Sequence, residues 1–204
     1  MVSQISTILL AAGLSKRMGG QDKLMLIYRG KTLLLRAVEL LDSFDFHKKI
    51  IVTTEERLER VTLPDSVRAV INRNPEAGQS GSLRLGLEAA NGEWYLFLTA
   101  DQPKLTPECL RPLFDLAAAN TGGIIYPSVN GKPCSPVLFH ACFRAELSRL
   151  TGDSGGRAVR AAHPERCLTF ETDMPDCFDD IDNENDYKKL IGAGCVCPLQ
   201  KERQ

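Results

Sequence analysis

The sequence predicts an α/β fold in which a mostly parallel β-sheet lies between layers of helices. Short apolar runs alternate along the chain with segments whose apolar residues recur at helical spacing, the order expected of parallel strands joined by helices. One run, at residues 94–98, is apolar throughout and is typical of a central strand that is buried on both faces. In such a sheet, ligands bind in a crevice at the carboxyl ends of the strands.

The strands are predicted from short, mainly apolar runs that end in polar or turn-forming residues. They are expected at residues 5–10, 49–54, 67–72, 93–99, 123–126, 136–139 and 167–171.

The helices are predicted from apolar residues that share one face. In the first helix Leu34, Val38 and Leu41 lie on one side, opposite Glu39. Thr106 suits the N-cap of a later helix, with a proline at its first position. Helices are expected at residues 31–44, 55–61, 80–91, 107–119, 141–150 and 155–162, with a last helix that Asp182 or Asn183 caps.

The composition suits one globular domain, expected at residues 1–192 and followed by a tail at 193–204. A net charge of −1 argues against a nucleic-acid or anionic-membrane partner, and no apolar run is long enough to span a bilayer. Seven scattered cysteines and no basic leader after Met1 favour a cytoplasmic protein with reduced thiols. Cys195 and Cys197 are interpreted as tail residues, since nothing nearby completes a metal site.

The stretch that follows the first predicted strand has the composition of a phosphate-binding loop. The small residues Ala11, Ala12 and Gly13 allow the backbone to approach a ligand and to direct successive N–H groups into one concavity. Arg17 can bind phosphate oxygens through two hydrogen bonds, and Lys23 adds a point charge. Neither common glycine-rich phosphate motif is present, so an ordinary turn with solvated cations is the alternative.

Two carboxylates are candidate metal ligands. Asp101 follows the central strand, and Pro103 restricts the turn so that this carboxylate faces the crevice. Asp153 precedes the glycines that open a predicted helix. Mg²⁺ prefers one or two carboxylates together with phosphate oxygens and water, so the pair predicts a magnesium site. The alternative for each residue is a turn or a helix cap.

Two further segments are rich in polar or acidic residues. Residues 72–82 carry amides and hydroxyls that can read the edge of a base, while Gly78 permits close approach; a helix-capping loop is the alternative. The acidic segment 180–186 invites a metal interpretation, but its acids also suit the cap and first turn of the last helix. We predict the structural role for it.

Several of these segments are similar to those of one family. Residues 10–19, followed by Lys23, resemble the signature loop of the MobA-like nucleotidyltransferases. Residues 100–103 resemble the family's Gly-Asp-Gln-Pro turn, with Ala in the first place, and residues 152–157 its Gly-Asp-x-Gly-Ala-Arg motif. Residues 130–139 resemble the loop beside the second substrate, although Cys134-Ser135 replaces the usual Gly-His.

The resemblance, which extends to about Leu190, implies a Rossmann-like three-layer α/β/α fold of the nucleotide-diphospho-sugar transferase type. It implies a Mg²⁺-dependent transfer of CMP from CTP to the terminal phosphate of molybdenum-molybdopterin, with release of pyrophosphate. Ala12 is similar to the cytidylyl branch, whereas residues 19–23 are more similar to the guanylyl branch, so GTP stays open. Sugar or polyol phosphates stay open as acceptors.

The resemblance also implies roles for particular residues. Arg17, Lys23 and Asp101 would be catalytic, and Asp101 with Asp153 would bind the metal. The nucleotide would be bound by Leu10, Ala11, Ala12, Gly13, Ser15, Lys16, Arg17, Lys23, Asn72, Gly78, Gln79, Ser80, Ser82 and Asp101. A hypothesis of another class is a carrier that delivers finished cofactor to a molybdenum hydroxylase. Two metal ligands disfavour it, because a carrier has no need of them.

Overall fold

Eight strands form the central sheet, and seven helices of four residues or more surround it, within the residues that the computed structural model describes, 2–192. The described strands are β1 (Ile5–Ala11), β2 (Ile27–Tyr28), β3 (Lys31–Thr32), β4 (Lys48–Thr53), β5 (Val67–Ile71), β6 (Trp94–Thr99), β7 (Ile124–Val129), β8 (Lys132–Pro133), β9 (Val137–His140) and β10 (Cys167–Glu171). Of these, β2 and β3 pair only with each other, outside the central sheet. The helices are α1 (Leu33–Asp42), α2 (Glu55–Leu58), α3 (Gln79–Ala89), α4 (Pro107–Ala118), α5 (Arg144–Ser148), α6 (Arg157–Ala162) and α7 (Glu184–Gly192).

The strand order of the sheet is β10-β7-β9-β6-β1-β4-β5, with β8 paired to β7. Strands β1, β4, β5 and β6 are parallel, and so are β7 and β10, whereas β9 runs antiparallel to both of its neighbours. This confirms the predicted α/β class and the mostly parallel sheet. Because β9 is reversed, the loop that leads into it lies at the same edge as the carboxyl ends of the parallel strands.

The sheet separates two apolar layers, and the side chains of β1 alternate between them. Ile5 and Leu9 pack on one face of the sheet with residues of α1 and α4 such as Leu34 and Leu110. Ile8 points to the other face, which α3, α5 and α6 cover. Strand β6 is central and almost wholly buried, as its composition predicted.

The described helices differ from the predicted ones mainly at their ends. Helix α1 begins at Leu33 rather than at residue 31, because Lys31 and Thr32 pair with β2 in a hairpin that the sequence did not reveal. Thr32 caps the helix, accepting a hydrogen bond from Leu35 N at 3.1 Å. Thr106 occupies the predicted N-cap of α4 but makes no capping bond.

The C-terminal part of the described chain returns to the first loop. Leu190 of α7 and Ile181 pack against Tyr28 and Leu33 of the hairpin region in a third apolar cluster. The predicted tail, including Cys195 and Cys197, lies outside the described residues. Across residues 2–192, every helix falls short of the length and apolar character that a membrane span requires.

Gly86 allows α3 to pack closely on the sheet. A Cβ at this position would lie 2.3 Å from Ile8 Cγ2 and 3.3 Å from Val52 Cγ2. We therefore expect Gly86→Ala to lower the free energy of unfolding by about 1–3 kcal/mol, measured by thermal or urea denaturation. Gly81→Ala on the same helix is the control, since the nearest atom to its Cβ is 4.0 Å away. Equal stability of the two variants would contradict the close packing of α3.

Candidate active site

Two adjoining cavities lie at the carboxyl ends of the parallel strands. The first, of about 370 Å³, lies between the loop after β1 and residues 75–82. The second, of about 700 Å³, lies between residues 133–137 and residues 153–161. Leu10, Gln79 and Asp153 line both, so the cavities share a border.

Arg57 of α2 holds both ends of the loop after β1. Its guanidinium donates to Ala11 O and Gly13 O at 2.7 Å each, where the loop begins. It also binds both carboxylate oxygens of Asp22, at 2.6 and 2.8 Å, where the loop ends. The residue is only 6% exposed, so these bonds form away from solvent and fix the loop firmly.

Hydrogen bonds inside this loop shape it further. Ser15 has a φ of 50°, and its hydroxyl accepts a hydrogen bond from Lys23 N at 3.1 Å. Asp22 also accepts a bond from Leu24 N at 3.1 Å. Residues 12–17 of this loop, Lys16 and Arg17 among them, line the first cavity.

Charges of both signs meet where this loop approaches Asp101. Lys23 Nζ lies 2.5 Å from Asp101 Oδ2 and 3.6 Å from Asp182 Oδ1. Arg17 Nη1 lies 3.0 Å from Asp182 Oδ2. Burial and the neighbouring carboxylates of Asp101 and Asp182 raise the pKa of Asp180 to about 7, while Lys23 opposes that shift. Three carboxylates and two cations thus form one cluster.

The position of Asp180 and Asp182 corrects the purely structural role predicted for segment 180–186. Asn183 does cap α7, accepting hydrogen bonds from Asn185 N and Asp186 N at 2.9 and 3.1 Å. The two acids before it instead face the site, because Ile181 between them is buried and its N–H binds Asp101 O at 2.9 Å. A buried apolar residue between two acids is the sequence signal that could have revealed this.

Asp101 has the features of a metal ligand. Its Oδ1 atom is buried and has no hydrogen-bond partner among the described residues, while Oδ2 binds Lys23. Within residues 2–192, however, no group of three or more His, Cys, Asp and Glu side chains is arranged to hold a metal on its own. The protein can therefore supply part of a coordination shell, which suits an ion completed by phosphate oxygens and water.

Asp153 lies on the border between the two cavities and is exposed. It does not cap α6, whose N-cap is Gly156. The loop that carries it rests against the start of α3: Ser80 N donates to Gly152 O at 3.1 Å, and a Cβ on Gly78 would lie 2.4 Å from Gly152 C. Asp101 and Asp153 thus line the same second cavity from different loops.

The structure does not bring all of the predicted residues to the cavities. Asn72 is buried and supports the turn, donating to Ser82 Oγ at 2.9 Å and accepting from Asn74 N at 2.9 Å. Ala11 and Ser80 are also buried and line neither cavity. The predicted residues that do line the first cavity are Leu10, Ala12, Gly13, Ser15, Lys16, Arg17, Lys23, Gly78, Gln79 and Ser82.

Gln102, in the turn after Asp101, positions a wall of the second cavity. Its Nε2 donates to Ser135 O and to Phe178 O, each at 3.1 Å. Cys134 and Ser135, which depart from the family pattern, line this cavity and lie outside the first one.

The raised pKa of Asp180 predicts a pH dependence of stability. The unfolded chain ionises this carboxyl near 3.8, whereas the folded chain keeps its proton up to about pH 7, so stability falls as pH rises between these values. In buffer with EDTA, Asp180→Asn should raise the free energy of unfolding above pH 7, and the gain should vanish near pH 4; because Asp180 is exposed at the surface, screening by solvent should keep the gain small. Asp179→Asn at the adjacent exposed position is the control, and a pH-independent gain for Asp180→Asn would contradict the expectation.

Comparison with known proteins matches residues 7–167 to the family described as "MobA-like NTP transferase domain". The chain is 30% identical over 192 residues to the molybdenum cofactor cytidylyltransferase of Escherichia coli (strain K12), covering 87% of this chain and 95% of that protein. It is 28% identical over 191 residues to the nicotine blue oxidoreductase of Paenarthrobacter nicotinovorans, covering 89% of this chain and 91% of that protein.

A solved structure supports the fold. A Mycobacterium tuberculosis H37Rv protein, crystallised in complex with manganese, has a TM-score of 0.73 at 24% identity, covering 94% of this chain and all of that one. The family match includes the loop held by Arg57 as well as Asp101 and Asp153. The resemblance seen in the sequence is thereby confirmed, and the chain belongs to the family of MobA-like NTP transferase domains.

Proposed function

We propose that this protein is a nucleotidyltransferase of molybdenum cofactor biosynthesis that transfers CMP from CTP to molybdenum-molybdopterin and releases pyrophosphate. The observation that carries the proposal is the pair of cavities that meet beside the cluster of Lys23, Asp101 and Asp182. A donor in the first cavity and an acceptor in the second would bring their phosphates together at that border. The reaction requires mainly such positioning, together with neutralisation of charge.

The first cavity suits a nucleoside triphosphate. Residues 12–17 of the loop line it, and Arg17 and Lys23 supply two positive charges. Both cations pair with Asp182, so a polyphosphate would replace a carboxylate as their partner. In the transfer step an oxygen of the acceptor phosphate attacks the α-phosphorus, and the bond to pyrophosphate breaks. Arg17 and Lys23 would stabilise the charge on the departing group.

The unpartnered Oδ1 of Asp101 fits a divalent ion, which we propose to be Mg²⁺. Asp101 would hold it together with Asp153, which lines the same cavity. The bound ion supplies charge neutralisation to the phosphate oxygens. The manganese in the mycobacterial structure agrees with the use of a divalent ion in this fold.

CTP is the proposed nucleotide, with GTP as the second candidate. The Escherichia coli relative is named as a cytidylyltransferase, and Ala12 is similar to that branch. A Vibrio atlanticus relative, 25% identical, is named as a guanylyltransferase. Asn72 is buried and hydrogen-bonded within the fold, so we propose Gln79, Ser82 and the backbone near Gly78, which line the first cavity, as the contacts to the base.

Other activities remain outcomes of the test. A sugar or polyol phosphate as acceptor would also be compatible with a nucleotide in the first cavity, because only the molecule in the second cavity would change. A carrier that passes the finished cofactor to a molybdenum hydroxylase would bind the product without releasing pyrophosphate. One relative is named as an oxidoreductase, so the transfer assay is needed to establish the reaction.

The test is pyrophosphate release with each of the four NTPs, Mg²⁺ and molybdenum-molybdopterin. We expect release with CTP, and expect Asp101→Asn to reduce kcat at least about 100-fold, since it removes charge neutralisation at the reacting phosphates. Asp115→Asn, at an exposed site on α4, is the control and should keep full activity. Tight product binding without release by any nucleotide would instead establish the carrier.

Arg57 should act on transfer through the loop that it holds. Arg57→Lys keeps the charge but loses the planar set of donors that reaches Ala11, Gly13 and Asp22 together. We expect kcat/KM for the nucleotide to fall about 10- to 100-fold because the phosphate contacts are misplaced. Arg60→Lys, at an exposed position just after α2, should change nothing. Equal rates for the two variants would exclude a positioning role for Arg57.

A further inference from the structure

One cation of the second cavity rests on an aromatic ring rather than beside a carboxylate. Arg160 of α6 lines this cavity, half-buried, with its guanidinium 4.5 Å from the ring centroid of Tyr126 on β7. Within the described part of the chain it forms no ion pair. The ring stabilises this cation but leaves its charge without a counter-ion, so an anionic ligand in the cavity would stabilise it further.

The second cavity also has carboxylates and an apolar wall. Asp101 and Asp180, which belong to the cluster of carboxylates and cations, line this cavity. Its apolar surface comes from Phe97, Val137 and Phe139. Tyr126 belongs to β7 and Asp101 follows β6, and these strands flank β9 in the sheet. Strand β9 therefore lies between the strand that supports Arg160 and the strand that precedes Asp101.

Two other arginines show that the position of Arg160 is special. Arg166 also lies over an aromatic ring, 5.6 Å from the centroid of Phe143, but it lines neither cavity. Arg157, three residues before Arg160, lines the second cavity but is exposed. Arg160 alone among the three combines an aromatic support with partial burial in the cavity wall.

We propose that Arg160 binds a second anionic group of the acceptor, distinct from the phosphate that reacts. The inference rests on the proposed function and specifies its acceptor as a phosphomonoester with a ring or apolar body and another negative group, separated from the reacting phosphate by that body. Tyr126 holds the guanidinium toward that group, and the apolar wall contacts the body of the molecule. Arg160 is then a specificity-determining residue for the acceptor, with no part in nucleotide binding.

The experiment compares Arg160→Gln with Arg166→Gln, which also removes a ring-stacked cation but lies outside the cavities. Two readouts are used with molybdenum-molybdopterin as the probe: equilibrium binding without nucleotide, and KM values in the transfer assay. Arg160→Gln should raise the acceptor Kd and KM about tenfold, with kcat and the KM for CTP unchanged. Arg160→Lys should recover part of the affinity, and Arg166→Gln should behave as the wild type.

The outcomes separate this inference from the proposed function. If no nucleotide supports transfer but Arg160→Gln still weakens binding of the probe, the proposed function fails and the inference stands. Equal binding by the Arg160→Gln and Arg166→Gln variants overturns the inference, whatever the transfer assay shows. A wild type that does not bind the probe, or a loss of affinity found in Arg157→Gln instead, overturns it as well.

Discussion

The rest of the site depends on the hydrogen bonds of Arg57 to both ends of the first loop. A buried guanidinium joins Ala11, Gly13 and Asp22, so a segment with several small residues has one conformation instead of many. That conformation places Lys23 beside Asp101 and so establishes the charge cluster. Small residues allow the backbone to approach phosphate, and this anchor removes the freedom that they would otherwise bring.

The mixed sheet explains why loops from distant parts of the chain meet at one edge. Strands β1 and β6 are parallel, so the first loop and Asp101, which follow them, both lie at the edge formed by their carboxyl ends. Because β9 is reversed, Cys134 and Ser135, which precede it, lie at the same edge. Gln102 donates hydrogen bonds to both Ser135 O and Phe178 O and so connects these two segments. The two cavities, which share a border, are therefore built largely from opposite halves of the sheet.

Local patterns were sufficient to predict the seven longer strands of the sheet and the loops that carry Lys23, Asp101 and Asp153, whereas the two-residue strands β2, β3 and β8 were not predicted. They were insufficient where a residue acts through a distant partner. Asp182 pairs with Arg17 across 165 positions, and Arg57 reaches Asp22 across 35, separations over which periodicity and capping rules say nothing. The predicted base contact of Asn72 illustrates the converse, since a polar side chain in a promising loop satisfies its hydrogen bonds within the fold.

The contact between Gly78 and Gly152 leaves no room for even a methyl group. One of these glycines belongs to the rim of the first cavity, and the other precedes Asp153 at the border between the two cavities. Neither rim can shift toward the other without a backbone collision, so this contact sets the smallest distance between the two loops. A side chain introduced at position 78 would force the two rims apart and would change the shape of both cavities at once.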